Sequence, residues 1–431
     1  MTTLELSPDD AAALVRPVDS IGFPLGPGQA VPLIHALGAR TDWEGLEVLC
    51  AMLVDFYELP NRNGVRTLST FFGPAERLYR DAGAAIEFIP SDFRRFEQVF
   101  ELRRPRVMTT VASPPDADGF MSLSLHAGAT VDELHRAGAD PDRLLIVEAA
   151  QGFPVTVGFR HEHSHRLHLS EVDVLIRTER PPIVLADAPM TEIEAAIAGF
   201  ASRFVHDGCT LQTGFGSIPS AIATILAEGD GGDYGIHSEM YTTGLMRLSR
   251  AGKVTNARKT VFDGVSVTTF AAGEPELYEW LDGRRDIAFL PVSVVNDPAL
   301  IAANHHMVTI NGAISVDLFG QVIADTIASK QFSGVGGHED FVSASGLQLE
   351  DRSLICLPST ATLPDGSLVS RIVAGFASPA IISTPRHQTD AVITEYGVAE
   401  LRGRTTTERA AALTAIAHPQ FRDQLTASFG S

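Results

Sequence analysis

The chain has 431 residues, enough for roughly two or three domains, and its 45% hydrophobic and 20% charged residues are typical of a globular protein. Its 33 basic and 53 acidic residues give a formal net charge of −20, which disfavours nucleic acid and anionic lipid as partners. Cys50, Cys209 and Cys356 form no CxxC motif and predict free thiols in a reducing compartment. The N-terminal segment lacks the features of a signal peptide, and no apolar run reaches the ~18 residues of a membrane span, so we expect a soluble, cytoplasmic protein.

Short apolar, β-branched runs alternate with helical patterns along the whole chain. Strands are predicted at residues 106–112, 143–147, 286–290, 353–357 and 391–394. Buried strands that alternate with helices predict an α/β fold with mainly parallel sheets.

A domain boundary is predicted near residue 185, where two consecutive prolines precede a clear helix start. Thr191 and Glu194 have the spacing of a capping box, and apolar residues then recur at helical intervals. The expected domains are therefore 1–185 and 186–431. A glycine-containing turn followed by a proline and an apolar helix occurs in both parts, which favours two related α/β domains with a site in the cleft between them.

The segment 161–165, HEHSH, satisfies the H-E-x-x-H signature of zinc proteases. That signature has its meaning on a helix, where residues four apart share a face. Apolar and polar residues alternate from Val155 to Asp173, which instead predicts a strand with His161, His163 and His165 on one face. Solvated or hydrogen-bonded histidines are the favoured interpretation, ahead of a strand-borne metal site and of a zinc protease, and no metal is expected.

The strongest local motif is the segment 210–222, TLQTGFGSIPSAI, in which a strand runs through a Gly-Phe-Gly turn into a helix. Glycines allow close approach of the backbone, and free amides at a helix start attract anions or a polarised carbonyl oxygen. Pro219 occupies the place of the third glycine in the dinucleotide-binding fingerprint, which disfavours NAD. An ordinary strand-to-helix turn is the alternative.

Two further segments are candidates for a site. The glycine cluster at 333–337, SGVGG, lacks the lysine of a P-loop and is either a loop that approaches a ligand or a solvent-exposed turn. Glu239 lies in YGIHSEMYTTG, among aromatic, thioether and glycine residues rather than other charges. Most glutamates are solvated, but this setting favours a buried carboxylate, which would need a function.

Ordered motifs along most of the chain resemble the acetyl-CoA hydrolase / 4-hydroxybutyrate CoA-transferase family of class I CoA transferases. They are SPPD with GFMSL at 113–123, HLSEVD at 168–173, LQTGFGSIP at 211–219, GIHSEM at 235–240, NDP at 296–298, INGAISVDLFGQV at 310–322, GGHEDF at 336–341, TPR at 384–386, TEYGVAELRG at 394–403, ERA at 408–410 and AHP at 417–419.

The resemblance implies a homodimeric CoA-transferase built from two CoA-transferase-type α/β domains, with Glu239 of GIHSEM as the nucleophile. It also assigns CoA-binding and oxyanion-stabilising roles to Gln212, Gly214, Phe215, Gly216, Ser217, Ala313, Gly336 and Gly337. A carboxylate that attacks an acyl-CoA forms a mixed anhydride and then a glutamyl-CoA thioester, so the expected kinetics are ping-pong. The expected substrates are acyl-CoA and small carboxylic acids. The chemistry needs no metal or redox cofactor, and CoA is a carried substrate.

Several positions depart from the family pattern. Thr243, His338 and Ser343 stand where the family has an acid, a glutamine and an arginine, and Phe153 stands where it has a methionine near the substrate side. The nucleophile is retained, while the substrate side is altered. An acyl-CoA hydrolase that uses the same glutamate is the first alternative, and a non-catalytic CoA-binding protein is the second.

Overall fold

The structure is a computed structural model that describes residues 3–126, 128–160, 162–186, 189–304, 306–345 and 348–429. Its strands, in chain order, are β1 Leu4–Glu5, β2 Val18–Gly22, β3 Gly45–Cys50, β4 Val65–Ser69, β5 Ile86–Phe88, β6 Val107–Ala112, β7 Phe120–Ser122, β8 Leu144–Ala150, β9 Arg166–His168, β10 Val174–Thr178, β11 Thr210–Thr213, β12 Gly235–Ile236, β13 Met240–Tyr241, β14 Ser266–Thr268, β15 Phe270–Ala271, β16 Ile287–Phe289, β17 Met307–Gly312, β18 Ser315–Asp317, β19 Val322–Ile323, β20 Thr326–Ile327, β21 Lys330–Gln331, β22 Arg352–Cys356, β23 Thr360–Thr362, β24 Leu368–Ser370, β25 Ile372–Val373, β26 Ala391–Thr394 and β27 Gly397–Glu400.

The α-helices, in chain order, are α1 Pro8–Ala12, α2 Val31–Ala39, α3 Pro74–Asp81, α4 Phe96–Arg103, α5 Val131–Ala139, α6 Glu192–Ala201, α7 Ser217–Glu228, α8 Thr243–Arg250, α9 Pro275–Leu281, α10 Val292–Val295, α11 Pro298–Ala302, α12 His338–Ala344, α13 Thr406–Ile416 and α14 Pro419–Phe429. Within the described ranges, none of these helices is long and apolar enough to cross a membrane.

The chain divides into two compact units. The first comprises Met1–Leu185, Val267–Val295 and Phe332–Gly336, and the second comprises Ala186–Ser266, Asn296–Gln331 and Gly337–Ser431. The change of unit after Leu185 coincides with the boundary suggested by the prolines. Two later segments return to the first unit, an arrangement that the two continuous ranges 1–185 and 186–431 do not include.

The first unit contains a parallel sheet with strand order β1-β10-β8-β6-β2-β3-β4-β5. All its neighbouring strands run parallel, for example β6 and β8 with Val107 opposite Leu144. The strands β6 and β8 at its centre are mainly apolar, and all six residues of β6 are buried. A strand that is buried on both faces reads as a continuous apolar run, which explains why β6 and β8 were predictable from the sequence.

The second unit contains a sheet with strand order β12-β11-β17-β22-β26-β27, parallel except for the β26–β27 pair. Leu354 and Cys356 of β22 belong to one core cluster, and Ile355 belongs to another. Successive side chains of a strand point to opposite faces, so this sheet is covered on both sides. The prediction of an α/β fold with mainly parallel sheets is confirmed.

Helix α6 begins where the capping box predicted. The Thr191 hydroxyl accepts a hydrogen bond from the Glu194 amide, and the Glu194 carboxylate accepts one from the Thr191 amide at 2.8 Å. These contacts satisfy two amides at the helix start that would otherwise lack partners. The predicted run from strand TLQT into a helix is also present, as β11 followed by α7.

Candidate active site

Glu239 lies between β12 and β13, at the carboxyl end of β12. Because β12 pairs in parallel with β11, with Leu211 opposite Ile236, both strands end at the same edge of the sheet. The buried Ser238 hydroxyl fixes the segment there: it donates to Thr213 O at 3.1 Å and accepts from Thr213 N at 3.3 Å. The glutamate is therefore held beside the turn that follows β11, at the edge where open α/β sheets bind ligands.

The Glu239 carboxylate has two well-defined neighbours within the second unit. Asn296 Nδ2 donates to Glu239 Oε2 at 2.7 Å, and the Gly337 amide donates a backbone hydrogen bond to the same carboxylate. A Cβ atom at Gly337 would lie 1.8 Å from Glu239 Oε2, so only glycine permits this approach. The same Asn296 nitrogen also donates to Asp340 Oδ2 at 2.9 Å.

The environment makes Glu239 a weaker acid than an ordinary glutamate. Burial raises its pKa to about 8, and the charge of Asp340 adds to the rise, while the hydrogen bonds from Asn296 and Gly337 oppose it. A poorly solvated carboxylate that is partly accessible suits nucleophilic chemistry, because little water must be removed before it attacks.

The Gly-Phe-Gly turn leads from β11 into α7. Gly216 is the residue before the first turn of α7 and has φ +121°, a conformation that favours glycine. A Cβ atom on Gly214 or Gly216 would meet nothing within 4 Å, and the Phe215 side chain is 43% exposed. Ser217, the first residue of α7, donates its hydroxyl to Glu194. The backbone at this helix start is therefore open to an incoming group, as anion or carbonyl recognition requires.

The remaining predicted residues have mixed surroundings. The buried Gln212 side chain accepts from Ile310 N at 3.1 Å and contacts the Asn311 side chain, so it joins β11 to β17. Ala313 follows β17 and is partly buried. Gln212 therefore links two strands of the sheet, and Ala313 lies directly after one of them. Their roles in ligand binding stay predictions.

The second glycine cluster crosses from one unit to the other. In the first unit, Gly336 has φ +57° and its carbonyl accepts from Phe93 N at 3.1 Å. A Cβ atom on Gly334 would lie 2.6 Å from Thr70 O, so packing requires that glycine. Gly337 begins the next segment of the second unit, where it contacts Glu239. Close packing thus explains the glycine at 334, and the approach of the Glu239 carboxylate explains the glycine at 337.

Two other buried side chains support the Glu239 segment and have no signal in the sequence. Asn256 Oδ1 accepts from Ile236 N at 3.0 Å, and Lys259 Nζ donates to Ile236 O at 2.9 Å and to Val265 O at 2.8 Å. Both polar groups of the Ile236 backbone are thereby fixed, three residues before Glu239. Burial lowers the pKa of Lys259 to about 7.

The predicted strand through the HEHSH segment is wrong. Arg160 has φ +54°, and Phe159 pairs with His163 across a turn, so β9 begins only at Arg166. His161 lies outside the described residues. His165 is buried, with Nε2 2.9 Å from Ser124 O and its ring stacked on Phe289, and burial lowers its pKa to about 3. In the part of the chain that the structure describes, no group of three or more His, Cys, Asp or Glu side chains is arranged to hold a metal.

Comparison with known proteins identifies the family. Residues 273–429 match the acetyl-CoA hydrolase/transferase C-terminal domain. The succinyl-CoA:cyclohexane-1-carboxylate CoA transferase of Geobacter metallireducens is 34% identical over 97% of this chain and 93% of its own length. The 4-hydroxybutyrate coenzyme A transferase of Clostridium kluyveri is 33% identical over 93% of this chain and 91% of its own. An acetyl-CoA hydrolase of Yarrowia lipolytica is a more distant relative, 26% identical over 60% of this chain and 49% of its own.

A solved structure also resembles this chain. RipA from Yersinia pestis superimposes with a TM-score of 0.87 at 31% identity, covering 99% of this chain and 96% of the RipA chain. Nearly the whole chain, and not one domain alone, therefore shares the architecture of RipA. The chain belongs to the acetyl-CoA hydrolase/transferase family and is an enzyme of that family.

Proposed function

We propose that the protein is an acyl-CoA:carboxylate CoA-transferase that carries CoA on Glu239 as a glutamyl thioester. The observation that carries the proposal is the setting of Glu239, whose carboxylate is held by Asn296 Nδ2 at 2.7 Å and by the Gly337 amide. Donors that hold a carboxylate in a fixed orientation also stabilise the oxyanion that forms when its carbonyl carbon is attacked. The CoA-transferase names of the relatives at 33–34% identity give independent support.

The proposed reaction has two half-reactions. A Glu239 oxygen attacks the thioester carbonyl of acyl-CoA. The carbon–sulfur bond breaks, CoA leaves as a thiolate, and a mixed anhydride between Glu239 and the acyl group remains. The thiolate then attacks the glutamyl carbonyl, and the first acid leaves as a carboxylate. In the second half-reaction, another carboxylate enters and the same steps run in reverse, so that it leaves as a new acyl-CoA and Glu239 is regenerated. No step changes an oxidation state.

The remaining site residues have positioning and binding roles in this proposal. The backbone from Gly214 to Ser217 receives the thioester carbonyl oxygen, with Gln212 and Ala313 beside it and Gly336 preceding the amide of Gly337. The open space at Gly214 and Gly216 supports this role, since a backbone donor is useful only where a ligand can reach it.

An acyl-CoA hydrolase is the second candidate, because acetyl-CoA hydrolases are among the relatives. In that enzyme, water would resolve the intermediate instead of a second carboxylate. The two activities share the nucleophile and differ in the acceptor. The non-catalytic alternative loses its basis, since the chain belongs to a family of enzymes.

Initial rates of CoA exchange test the proposal. For a transferase, double-reciprocal plots at several acceptor concentrations should be parallel, and CoA release without a carboxylate should be slow. Glu239→Gln should lose nearly all activity while the exposed control Glu350→Gln keeps it. Intersecting plots would favour direct transfer in a ternary complex, and undiminished CoA release without a carboxylate would favour the hydrolase.

A further inference from the structure

Asp340 is a buried carboxylate next to the candidate nucleophile, and the proposed chemistry gives it no covalent part. It lies in the first turn of α12, and its side chain is fully enclosed. Its Oδ2 accepts from Asn296 Nδ2 at 2.9 Å. Burial of a charged group is unfavourable unless hydrogen bonds offset it, so its position beside Glu239 calls for a function.

The amide nitrogen of Asn296 donates to two carboxylates at once. Its two hydrogens can serve Glu239 Oε2 at 2.7 Å and Asp340 Oδ2 at 2.9 Å. Asn296 Oδ1 consequently faces away and is buried without a hydrogen-bond partner in the described part of the chain. An amide accepts such an orientation only when its nitrogen side is strongly held, because an unpaired buried acceptor is costly.

The two carboxylates differ in what happens to them during turnover. Glu239 loses its negative charge whenever it is acylated or carries CoA, so its hold on the Asn296 amide weakens at those stages. Asp340 takes no part in the bond changes, so its contact with the Asn296 amide is not altered by them. It is therefore the partner that can hold the amide in one orientation through the whole cycle.

We propose that Asp340 is a positioning residue, which fixes the Asn296 amide so that one N–H stays directed at the Glu239 carboxyl oxygen in every intermediate. This inference rests on the proposed function. Without Asp340, the Asn296 amide could turn its unpaired Oδ1 toward the glutamyl oxygen and repel the oxyanion that forms there.

The test compares Asp340→Ala with Asp340→Asn, which keeps an acceptor oxygen and the side-chain volume. Asp340→Ala should lower kcat per folded molecule by on the order of 10- to 100-fold, as expected for a misplaced catalytic contact, with a smaller change in KM. Asp340→Asn should recover activity to within a few-fold of the unaltered protein. Asp390→Asn is the control, since Asp390 is also buried and accepts from Ser353 N at 2.9 Å; it should change thermal stability and leave kcat unaltered.

A double-mutant cycle isolates the path through Asn296. Asn296→Ala and the Asn296→Ala/Asp340→Ala double variant should have the same kcat to within about twofold, because residues that act through one contact are not additive. Additive effects, or unaltered kcat in folded Asp340→Ala, would overturn the inference. Trapping of CoA on Glu239 in the unaltered protein separates it from the proposed function: with trapping intact, those results refute the role of Asp340 alone, whereas failure of trapping would overturn both.

Discussion

The contact between Gly337 and Glu239 gives the sharpest prediction. In Gly337→Ala, the new methyl group would lie 1.8 Å from Glu239 Oε2 and 2.6 Å from Asn296 Nδ2. An ordinary contact begins at 3.4 Å, so the carboxylate must retreat by about 1.6 Å, the difference between 3.4 and 1.8. Gly337 has φ −86° and ψ 7°, which alanine adopts without strain, so the steric displacement alone produces the effect.

The expected magnitude follows from that displacement. A shift of about 1 Å in a reacting group costs about 100-fold in rate, or about 2.7 kcal/mol in the activation free energy, so kcat should fall by at least this factor. Overpacking should cost about 1–3 kcal/mol in the free energy of unfolding, which leaves most of the protein folded at room temperature.

Steady-state kcat, thermal unfolding and the yield of borohydride-trapped Glu239 should be measured on the same preparations. Gly199→Ala is the control, because a Cβ atom there meets nothing within 4 Å and alanine favours the helix. If folded Gly337→Ala keeps the kcat and the trapping yield of the unaltered protein, the placement of the Glu239 carboxylate does not determine the rate, which would refute this prediction.

Other predictions concern pH, the buried lysine and metals. Because Glu239 must be ionised to attack and its pKa is about 8, kcat/KM should rise with pH and reach half its maximum near pH 8; a midpoint near 4.5 would contradict this. The pKa of Glu239 in the folded protein exceeds the unfolded value of 4.5, so the stability that Glu239 contributes should be lost as pH rises from 4.5 to about 8. Chemical denaturation of Glu239→Gln should not show this decrease in the free energy of unfolding. The pKa of Lys259 is instead lowered from 10.5 to about 7. The free energy of unfolding of the unaltered protein, measured relative to that of Lys259→Met, should therefore increase as pH rises above 7. A difference that stays constant with pH would argue against a buried ammonium group. Dialysis against a strong chelator should leave turnover unchanged, since the proposed steps need no metal; loss of activity that zinc restores would mean that the site is misplaced.

The sequence was most informative where the structure depends on neighbours along the chain. The strands β6, β8, β22 and β26 were predictable because each is a mainly apolar run buried in a mainly parallel sheet. The start of α6 was predictable because Thr191 and Glu194 cap each other locally. At HEHSH the strand prediction was wrong, because the alternating residues resembled a strand but the backbone turns at Arg160.

The candidate site was only partly predictable, because its contacts join residues that are distant in the sequence. The Gly-Phe-Gly turn was indicated by its local strand-to-helix pattern, and the role of Glu239 came from motif resemblance. Asn296 is 57 positions from Glu239 and 44 from Asp340, and no local pattern indicates that one amide contacts both carboxylates. The hydrogen bond from Lys259 to Ile236 also joins residues far apart in the sequence, 23 positions, and for the same reason could not be predicted from local patterns. The homodimer and the cytoplasmic location stay predictions.

The proposed mechanism depends on the covalent attachment of CoA to Glu239. The protein should be incubated with an acyl-CoA in the absence of an acceptor acid, treated with borohydride, digested and analysed by mass spectrometry. The peptide containing Glu239 should carry a hydroxymethyl group in place of its carboxyl group, and activity should be lost in proportion to this change. Active enzyme that releases CoA yet leaves Glu239 unmodified, or a label on another residue, would contradict it.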